Sequence, residues 1–160
     1  MNQPLPGSRT TARVLFASFI IITVGTFIWG FMVANKVRAR AKETDGALRS
    51  VAWACLCYVQ QGDRTWPDSE ASILAVAGGA WPCERIEVQS PGWPDTREVA
   101  MAGMLIPPSA AEALKIAGLE FSKNPIDAPH VIARGNPSGI DTLEVVNGWL
   151  TAYGNLSIQK

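Results

Sequence analysis

The sequence predicts an α+β protein in which an N-terminal transmembrane helix continues into an amphipathic helix, packed on a small antiparallel sheet with one or two short helices. Three observations predict this class. A long uncharged apolar run lies near the N-terminus, apolar residues then recur every three or four positions, and alternating segments between turn residues fill the C-terminal part. The chain accordingly divides into a disordered tail at 1–12, a transmembrane helix at 13–35 and a small domain at 36–160.

The membrane anchor is predicted from residues 14–35, which contain no charged side chain and are bounded by Arg13 and Lys36. A hydrocarbon layer of about 30 Å requires roughly 20 helical residues, so this run fits one crossing. A cleaved signal sequence fits less well, because its apolar region is only about 7–15 residues long and Met32-Val33-Ala34 is a poor cleavage site. A helix buried in a soluble core would need a larger domain around it. We therefore expect an uncleaved signal-anchor.

The anchor is expected to continue without a break as an amphipathic helix over residues 36–61. Apolar residues recur there in steps of three and four, and polar residues occupy the other face. Gly62 is a suitable C-terminal cap, and Gly46 is the weakest point within the helix. The apolar positions are Val37, Ala41, Ala47, Leu48, Val51, Cys55 and Val59.

Two short helices are predicted in the middle of the chain. The first spans residues 69–77, with Asp68 as its N-cap. The second begins at the capping box Ser109-Ala110-Ala111-Glu112 and ends at Gly118, because glycine commonly follows the last helical turn.

Strands are predicted before and after the second short helix. Residues 85–88 alternate and form the first, and residues 97–106 are interpreted as the second, although a helix there is the alternative. Residues 130–133 and 140–146 follow. Asn147-Gly148 is the strongest short signal for a hairpin, and it would return the chain into a last strand at 149–153.

The composition limits the class of partner. The 160 residues hold 14 Lys and Arg against 14 Asp and Glu, so the formal net charge is zero. Beyond the basic cluster that follows the anchor, the sequence offers no basic footprint for nucleic acid. We therefore expect the partners to be the lipid bilayer and other membrane or envelope proteins, with no nucleic acid, small-molecule substrate or cofactor.

The three cysteines neither form an even disulfide framework nor match zinc spacing. Cys55 and Cys57 lie two positions apart on a helix, point about 200° away from each other and cannot chelate one ion. On an oxidising side of the membrane one of this pair could bridge Cys83, and Cys57–Cys83 is the candidate disulfide. In the cytoplasm all three would be reduced, small buried residues.

Three Trp-Pro dipeptides, at Trp66, Trp81 and Trp93, are the most unusual feature of the sequence. Proline forces the preceding residue toward an extended backbone, so each indole is presented from a loop. Trp is enriched at interface hot spots, which makes these three residues a candidate interaction surface. The preferred interpretation is that the indoles pack their loops onto the small core, with the interaction surface as the alternative, and Trp149 and Tyr153 could add to either arrangement.

A catalytic interpretation would centre on His130, the single histidine. A nucleophile–base pair requires this imidazole to meet a cysteine or serine, with a third group that orients it. No local signature such as Gly-x-Ser-x-Gly is present, and a lone His beside an apolar strand is more often structural. We expect no enzyme and no catalytic, cofactor-binding or metal-binding residue. The alternative is a membrane-tethered enzyme or sensor with a dispersed site near His130.

The segment Tyr58-Val59-Gln60-Gln61-Gly62-Asp63-Arg64-Thr65-Trp66-Pro67-Asp68-Ser69-Glu70 resembles the part of type IV pilins and pseudopilins where the long helix ends. In those families a tyrosine is followed by glycine, an aromatic-Pro pair and a capped short helix. The resemblance extends over residues 14–77 and implies a long helix on a small sheet, with a role in an envelope assembly. The prepilin processing motif is missing, because Gly7 is followed by Ser8-Arg9 and the fifth mature position would be Ala12, where the family has glutamate. The resemblance therefore implies an unprocessed relative of the fold.

These observations together predict a single-pass, non-enzymatic membrane protein that acts by protein contact, as a pilin-like or accessory component of an envelope assembly. A further alternative is a small subunit of a larger membrane complex, its span packing through Gly25, Thr26 and Gly30. Lys and Arg are nearly balanced across the span, with a small excess after it that favours a cytoplasmic domain. We nevertheless take the extracytoplasmic side as the location of the C-terminal domain, in keeping with the pilin resemblance.

Overall fold

The computed structural model describes residues 6–62, 65–77, 83–87, 93–124, 126–137 and 139–158. The elements in chain order are α1 Pro6–Gln61, α2 Glu70–Ala77, α3 Arg97–Ala100, α4 Ala110–Ile116, β1 Ala117–Glu120, β2 His130–Ala133 and α5 Ile140–Ile158. The predicted α+β class is confirmed, because a long apolar N-terminal helix is followed by short helices and a two-stranded antiparallel sheet. Contacts between residues divide the chain into two compact units, Met1–Arg38 and Ala39–Lys160.

In the first unit, α1 exposes its apolar side chains. The large apolar residues from position 14 to position 33 are 42–77% exposed, whereas the buried apolar residues of the second unit are at most 7% exposed. The helix begins at Pro6, inside the segment 1–12 that the sequence predicts as a tail. Proline is well suited to a first helical position, because its missing N–H has no partner to lose there.

In the second unit, the core is built around the second half of α1. Residues 44–48 and 50–57 are all buried, so burial surrounds this part of the helix and is not confined to the face that the apolar spacing predicts. Trp53 is fully buried, and its indole Nε1 donates a hydrogen bond to the carbonyl oxygen of Cys83 at 3.0 Å. Gly46 lies against the segment before α4, because a Cβ at this position would collide with the carbonyl oxygen of Leu105.

The two predicted short helices are confirmed as α2 and α4, with small corrections at their ends. Ser69, and not Asp68, is the residue that caps α2, since its Oγ accepts a hydrogen bond from the Ser72 amide at 3.2 Å. In α4 the Oγ of Ser109 accepts from the Glu112 amide at 3.2 Å, as the capping box predicts. This helix ends at Ile116 because the next residues form β1, a strand that the sequence did not predict.

The sheet consists of β1 and β2 paired antiparallel. Ala117 lies opposite Ala133 and Glu120 opposite His130. The predicted strand at 130–133 is therefore confirmed. Its other neighbour is α5, which packs on β2.

The predicted C-terminal hairpin is wrong. Residues 140–146, Asn147-Gly148 and 149–153 all belong to α5. Its buried residues recur in the helical pattern i, i+3, i+4, i+7 and i+8, so a helix turns all of them toward the core, whereas a strand would turn some of them to solvent. These buried residues are Val146, Trp149, Leu150, Tyr153 and Gly154.

The predicted strands at 85–88 and 97–106 are also corrected. The latter begins with α3, where the Thr96 hydroxyl accepts a hydrogen bond from the Val99 amide at 3.4 Å and so starts a helical turn. Of the former, residues 85–87 are described, and they make a single antiparallel bridge between Arg85 and Thr96.

Candidate functional site

Two of the three tryptophans that precede a proline lie in one aromatic cluster with Tyr153. Trp66 meets Tyr153 edge-on with ring centroids 5.9 Å apart, and Trp93 stacks on Tyr153 at 6.2 Å. Trp66 is 7% exposed and Tyr153 is 4% exposed. Their rings therefore pack into the core, as in the interpretation that the indoles hold their loops on the core. Trp93 is half-buried, and Trp81 lies outside the described residues.

A groove of about 170 Å³ opens beside this aromatic cluster, and we call it the Trp66 groove. Its floor consists of three buried residues, Trp66, Pro67 and Pro129, and its rim consists of exposed polar residues. It therefore combines an apolar base with a charged edge. The rim residues are Asp68, Ser122, Lys123, Asn124 and Asp127.

One side of the groove is formed by the Asp68 carboxylate. Its Oδ1 accepts hydrogen bonds from the hydroxyls of Ser72 and Ser69, the latter at 3.0 Å. Because these hydrogen bonds favour the charged form, they hold the pKa of Asp68 below its usual value. The side chain is exposed, so the negative charge is presented to any ligand that enters the groove.

Another part of the rim is a polar turn that is held by hydrogen bonds of its own side chains. The Ser122 hydroxyl donates to Asp127 Oδ2 at 3.2 Å and accepts from the Asn124 amide at 3.2 Å. The Asp127 amide donates to the carbonyl oxygen of Asn124 at 3.1 Å. These hydrogen bonds fix the rim before any ligand binds, which lowers the entropic cost of recognition.

Sequence reasoning missed the residues of this turn. Their composition, Ser-Lys-Asn-Pro-Ile-Asp at 122–127, is typical of a loop, and that was the one available signal. It does not indicate that the loop faces the Trp66-Pro67 segment, more than 50 positions earlier in the sequence.

Cys57 and Cys83 are joined by a disulfide, with their Cα atoms 5.7 Å apart, and Cys55 is a free, buried thiol. Burial raises the pKa of the Cys55 thiol far above its usual value, so this side chain stays protonated and unreactive. Close to the disulfide in sequence, a second set of contacts joins α1 to residues 85–87. The Gln60 side chain accepts from the Glu87 amide at 3.0 Å and donates to the carbonyl oxygen of Arg85 at 3.3 Å.

His130 is exposed at the start of β2, and its Nε2 lies 3.3 Å from Nδ2 of Asn147. Asn147 has a structural role here, since its Oδ1 accepts from the Val131 amide at 2.7 Å and its Nδ2 donates to the Val131 carbonyl oxygen at 3.0 Å. No described thiol is available as a nucleophile for His130, because Cys55 is buried and the other two cysteines are bonded to each other.

Among the residues that the structure describes, no group of three His, Cys, Asp or Glu side chains is arranged to hold a metal ion.

The apolar half of α1 is the second candidate functional feature. By length and composition, Thr10–Gln61 contains one helix long and apolar enough to cross a membrane. Two hydroxyls within the apolar run are satisfied inside the helix itself: Thr23 donates to the carbonyl oxygen of Phe19 at 2.8 Å, and Thr26 donates to that of Ile22 at 2.5 Å. Such bonds allow polar side chains to lie in a hydrocarbon environment.

One face of this apolar segment carries a shallow groove of about 540 Å³. Thr26, Gly30 and Ala34 follow one another at intervals of four, so they share a helix face. Gly25, the third residue predicted for helix packing, is not part of this groove. The lining residues are Thr23, Thr26, Phe27, Gly30, Phe31 and Ala34.

Comparison with known proteins finds no matching family model, no matching curated protein and no matching solved structure.

Proposed function

We propose that this chain is a single-pass membrane protein without enzymatic activity, whose C-terminal domain acts by contact with other proteins of an envelope assembly. The observation that carries the proposal is the apolar surface of α1, where large side chains from position 14 to position 33 are 42–77% exposed. In water such a surface would be unfavourable by about 25 cal/mol for every Å² left uncovered. In a bilayer the same surface is solvated by lipid.

The disulfide supports an extracytoplasmic location for the domain. Disulfides form and persist in oxidising compartments and are rare in the cytoplasm. The bond between Cys57 and Cys83 closes a loop with a sequence separation of 26 residues, for which the chain-entropy relation gives about 3–4 kcal/mol of stabilisation. A domain whose folded state is stabilised to this extent by a disulfide is expected on the extracytoplasmic side of the membrane.

The architecture supports a pilin-like or accessory role within the envelope. A long helix that is apolar in its first half and buried in its second, followed by a small antiparallel sheet, is what the resemblance to pilins and pseudopilins implies. The sheet has two strands and is followed by a C-terminal helix of 19 residues, so the likeness concerns the α1 half of the molecule. Because the processing motif is missing, we place the chain among accessory components and not among filament subunits.

The orientation test introduces one additional cysteine at a time into the full chain. The two variants are Ser8→Cys, before the span, and Glu144→Cys, on α5. Cys55 is buried and Cys57 and Cys83 are bonded to each other, so the native cysteines should not react with a maleimide. The labelling signal should therefore come from the introduced cysteine. A membrane-impermeant maleimide is added to intact and to permeabilised cells. We expect Glu144→Cys to label in intact cells and Ser8→Cys to label after permeabilisation.

The opposite pattern would place the domain in the cytoplasm and would remove the envelope role. Release of the protein from membranes by alkaline carbonate would refute the anchor itself. The unsubstituted chain is the matched control, because its buried or bonded cysteines should give no signal in native membranes.

A small subunit of a larger membrane complex remains the second candidate function. The groove along Thr26, Gly30 and Ala34 favours it, because small residues at intervals of four allow transmembrane helices to approach closely. Gly30→Leu would fill this groove, with Val24→Leu, at an exposed apolar position outside the groove, as the control. Loss of a detergent-stable complex on native gels in the first variant alone would favour this candidate.

A further inference from the structure

We propose that the Trp66 groove binds the side chain of a lysine from a partner polypeptide, the stem of the lysine on the apolar floor and its ammonium group between the carboxylates of Asp68 and Asp127. The inference rests on the proposed function, for which it names a contact site and the chemistry of the partner residue.

The charge of the rim selects a cation. The rim contains two carboxylates, those of Asp68 and Asp127, and one ammonium group, that of Lys123, so it carries a net negative charge. Asp68 Oδ1 accepts hydrogen bonds from the hydroxyls of Ser72 and Ser69, and Asp127 Oδ2 accepts one from Ser122. Both aspartates are exposed to solvent. Exposed carboxylates at the edge of a groove are suitable acceptors for a charged N–H donor.

The floor selects an alkyl stem attached to that cation. Trp66, Pro67 and Pro129 are buried beneath the opening and present an indole and two pyrrolidine rings. Lysine has four methylenes that pack against apolar surface while its charged group stays at the polar edge.

The size of the groove restricts the ligand to one side chain. A space of about 170 Å³ is smaller than the several hundred Å³ typical of sites for drug-sized molecules. One flexible side chain from an extended segment fits both the volume and the charge.

The test is a titration of the full chain, purified in detergent micelles, with the probe peptide acetyl-Ala-Lys-Ala-amide. Amide signals of Asn124 and Asp127 and the indole signal of Trp66 are followed by two-dimensional NMR. We expect saturable shifts with a dissociation constant of about 1–10 mM, as befits a single charged contact. The matched probe, in which norleucine replaces lysine, should leave these signals in place.

Variants of the rim separate this site from general surface charge. Asp68→Asn and Asp127→Asn should each weaken binding about tenfold, because each removes one charge-assisted contact. Lys123→Gln should strengthen binding, since it removes the like charge at the rim, and a gain of affinity cannot be explained by unfolding. Glu98→Gln, an exposed carboxylate on α3 outside the groove, is the matched control and should change nothing.

Equal binding of the norleucine peptide, equal weakening by Glu98→Gln, or no shift up to about 20 mM would each overturn the lysine site. None of these outcomes touches the membrane anchor or the orientation of the domain, which the maleimide labelling tests separately. A failed labelling experiment with a working groove would conversely remove the envelope role and leave the lysine site standing.

Discussion

At the scale of single residues, Gly46 illustrates how one position can limit the packing of a helix. Glycine weakens a helix interior by about 1 kcal/mol relative to alanine, so the sequence marks Gly46 as a weak point. The structure gives the reason for glycine here, because the backbone of Leu105 occupies the space that a side chain would need.

The first prediction compares Gly46→Ala with Gly148→Ala, a matched change in α5 where nothing lies within 4 Å of the added Cβ. Gly46→Ala should destabilise the domain by about 1–2 kcal/mol, since the cost of moving the Leu105 backbone exceeds the helical preference of alanine. Gly148→Ala should stabilise it by about 0.5–1 kcal/mol. Thermal unfolding of the full chain in detergent measures both, and a gain of stability at Gly46 would contradict the close approach.

At the scale of elements, sequence patterns identified most of the helices and one strand correctly. Those successes rest on local chemistry: the uncharged run predicts the first part of α1, a serine with a glutamate three positions later predicts α4, and the β-branched pair Val131-Ile132 predicts β2. The elements that the sequence predicted incorrectly depend on contacts between residues far apart in the chain. Asn147-Gly148 is a strong hairpin signal in isolation, and it was overridden because α5 turns five residues toward the core.

The second prediction concerns the contact that replaced the expected hairpin. Asn147→Leu would leave the buried N–H and C=O groups of Val131 without their partner, at a cost of about 2–4 kcal/mol in the free energy of unfolding. The matched control is Thr151→Val, one turn further along α5 at an exposed position, which should alter stability by less than about 0.5 kcal/mol. Denaturant unfolding of the full chain provides the measurement. Equal effects of the two substitutions would show that the amide of Asn147 does not hold α5 on the sheet.

At the scale of the whole molecule, the sequence predicted the fold class and a helix long and apolar enough to cross a membrane, and it did not predict the Trp66 groove. An uncharged run of sufficient length is a one-dimensional property, so it can be recognised without knowledge of the fold. The groove is assembled from two segments around Trp66 and Asn124 whose proximity exists only in the folded chain. The proline that follows Trp66 marks this residue in the sequence as a candidate for an interaction surface. Because its ring is buried, Trp66 forms the floor of the groove and does not project from the surface.

The third prediction tests the anchor by placing two charges in the apolar run. The double variant Ile21→Arg, Phe27→Arg should abolish membrane retention, because each arginine costs about 2.5–3.5 kcal/mol near the centre of a span. That total exceeds the few kcal/mol by which the apolar residues favour insertion. Val37→Arg, an exposed apolar position just beyond the run, is the control and should stay membrane-bound. The measurement is alkaline carbonate extraction, and retention of the double variant would contradict a transmembrane role for α1.

The side-chain amide of Asn147 also affects how this protein can meet other chains. An edge strand with unpaired N–H and C=O groups is a template on which a foreign strand can add, whether in regulated docking or in aggregation. On β2 the middle residue of that edge, Val131, already has both of its backbone groups occupied by Asn147. A neighbouring chain that tries to extend the sheet on this side must first pull a helix away from it. The β2 edge of the small sheet is in this way protected, at Val131, against the addition of a foreign strand.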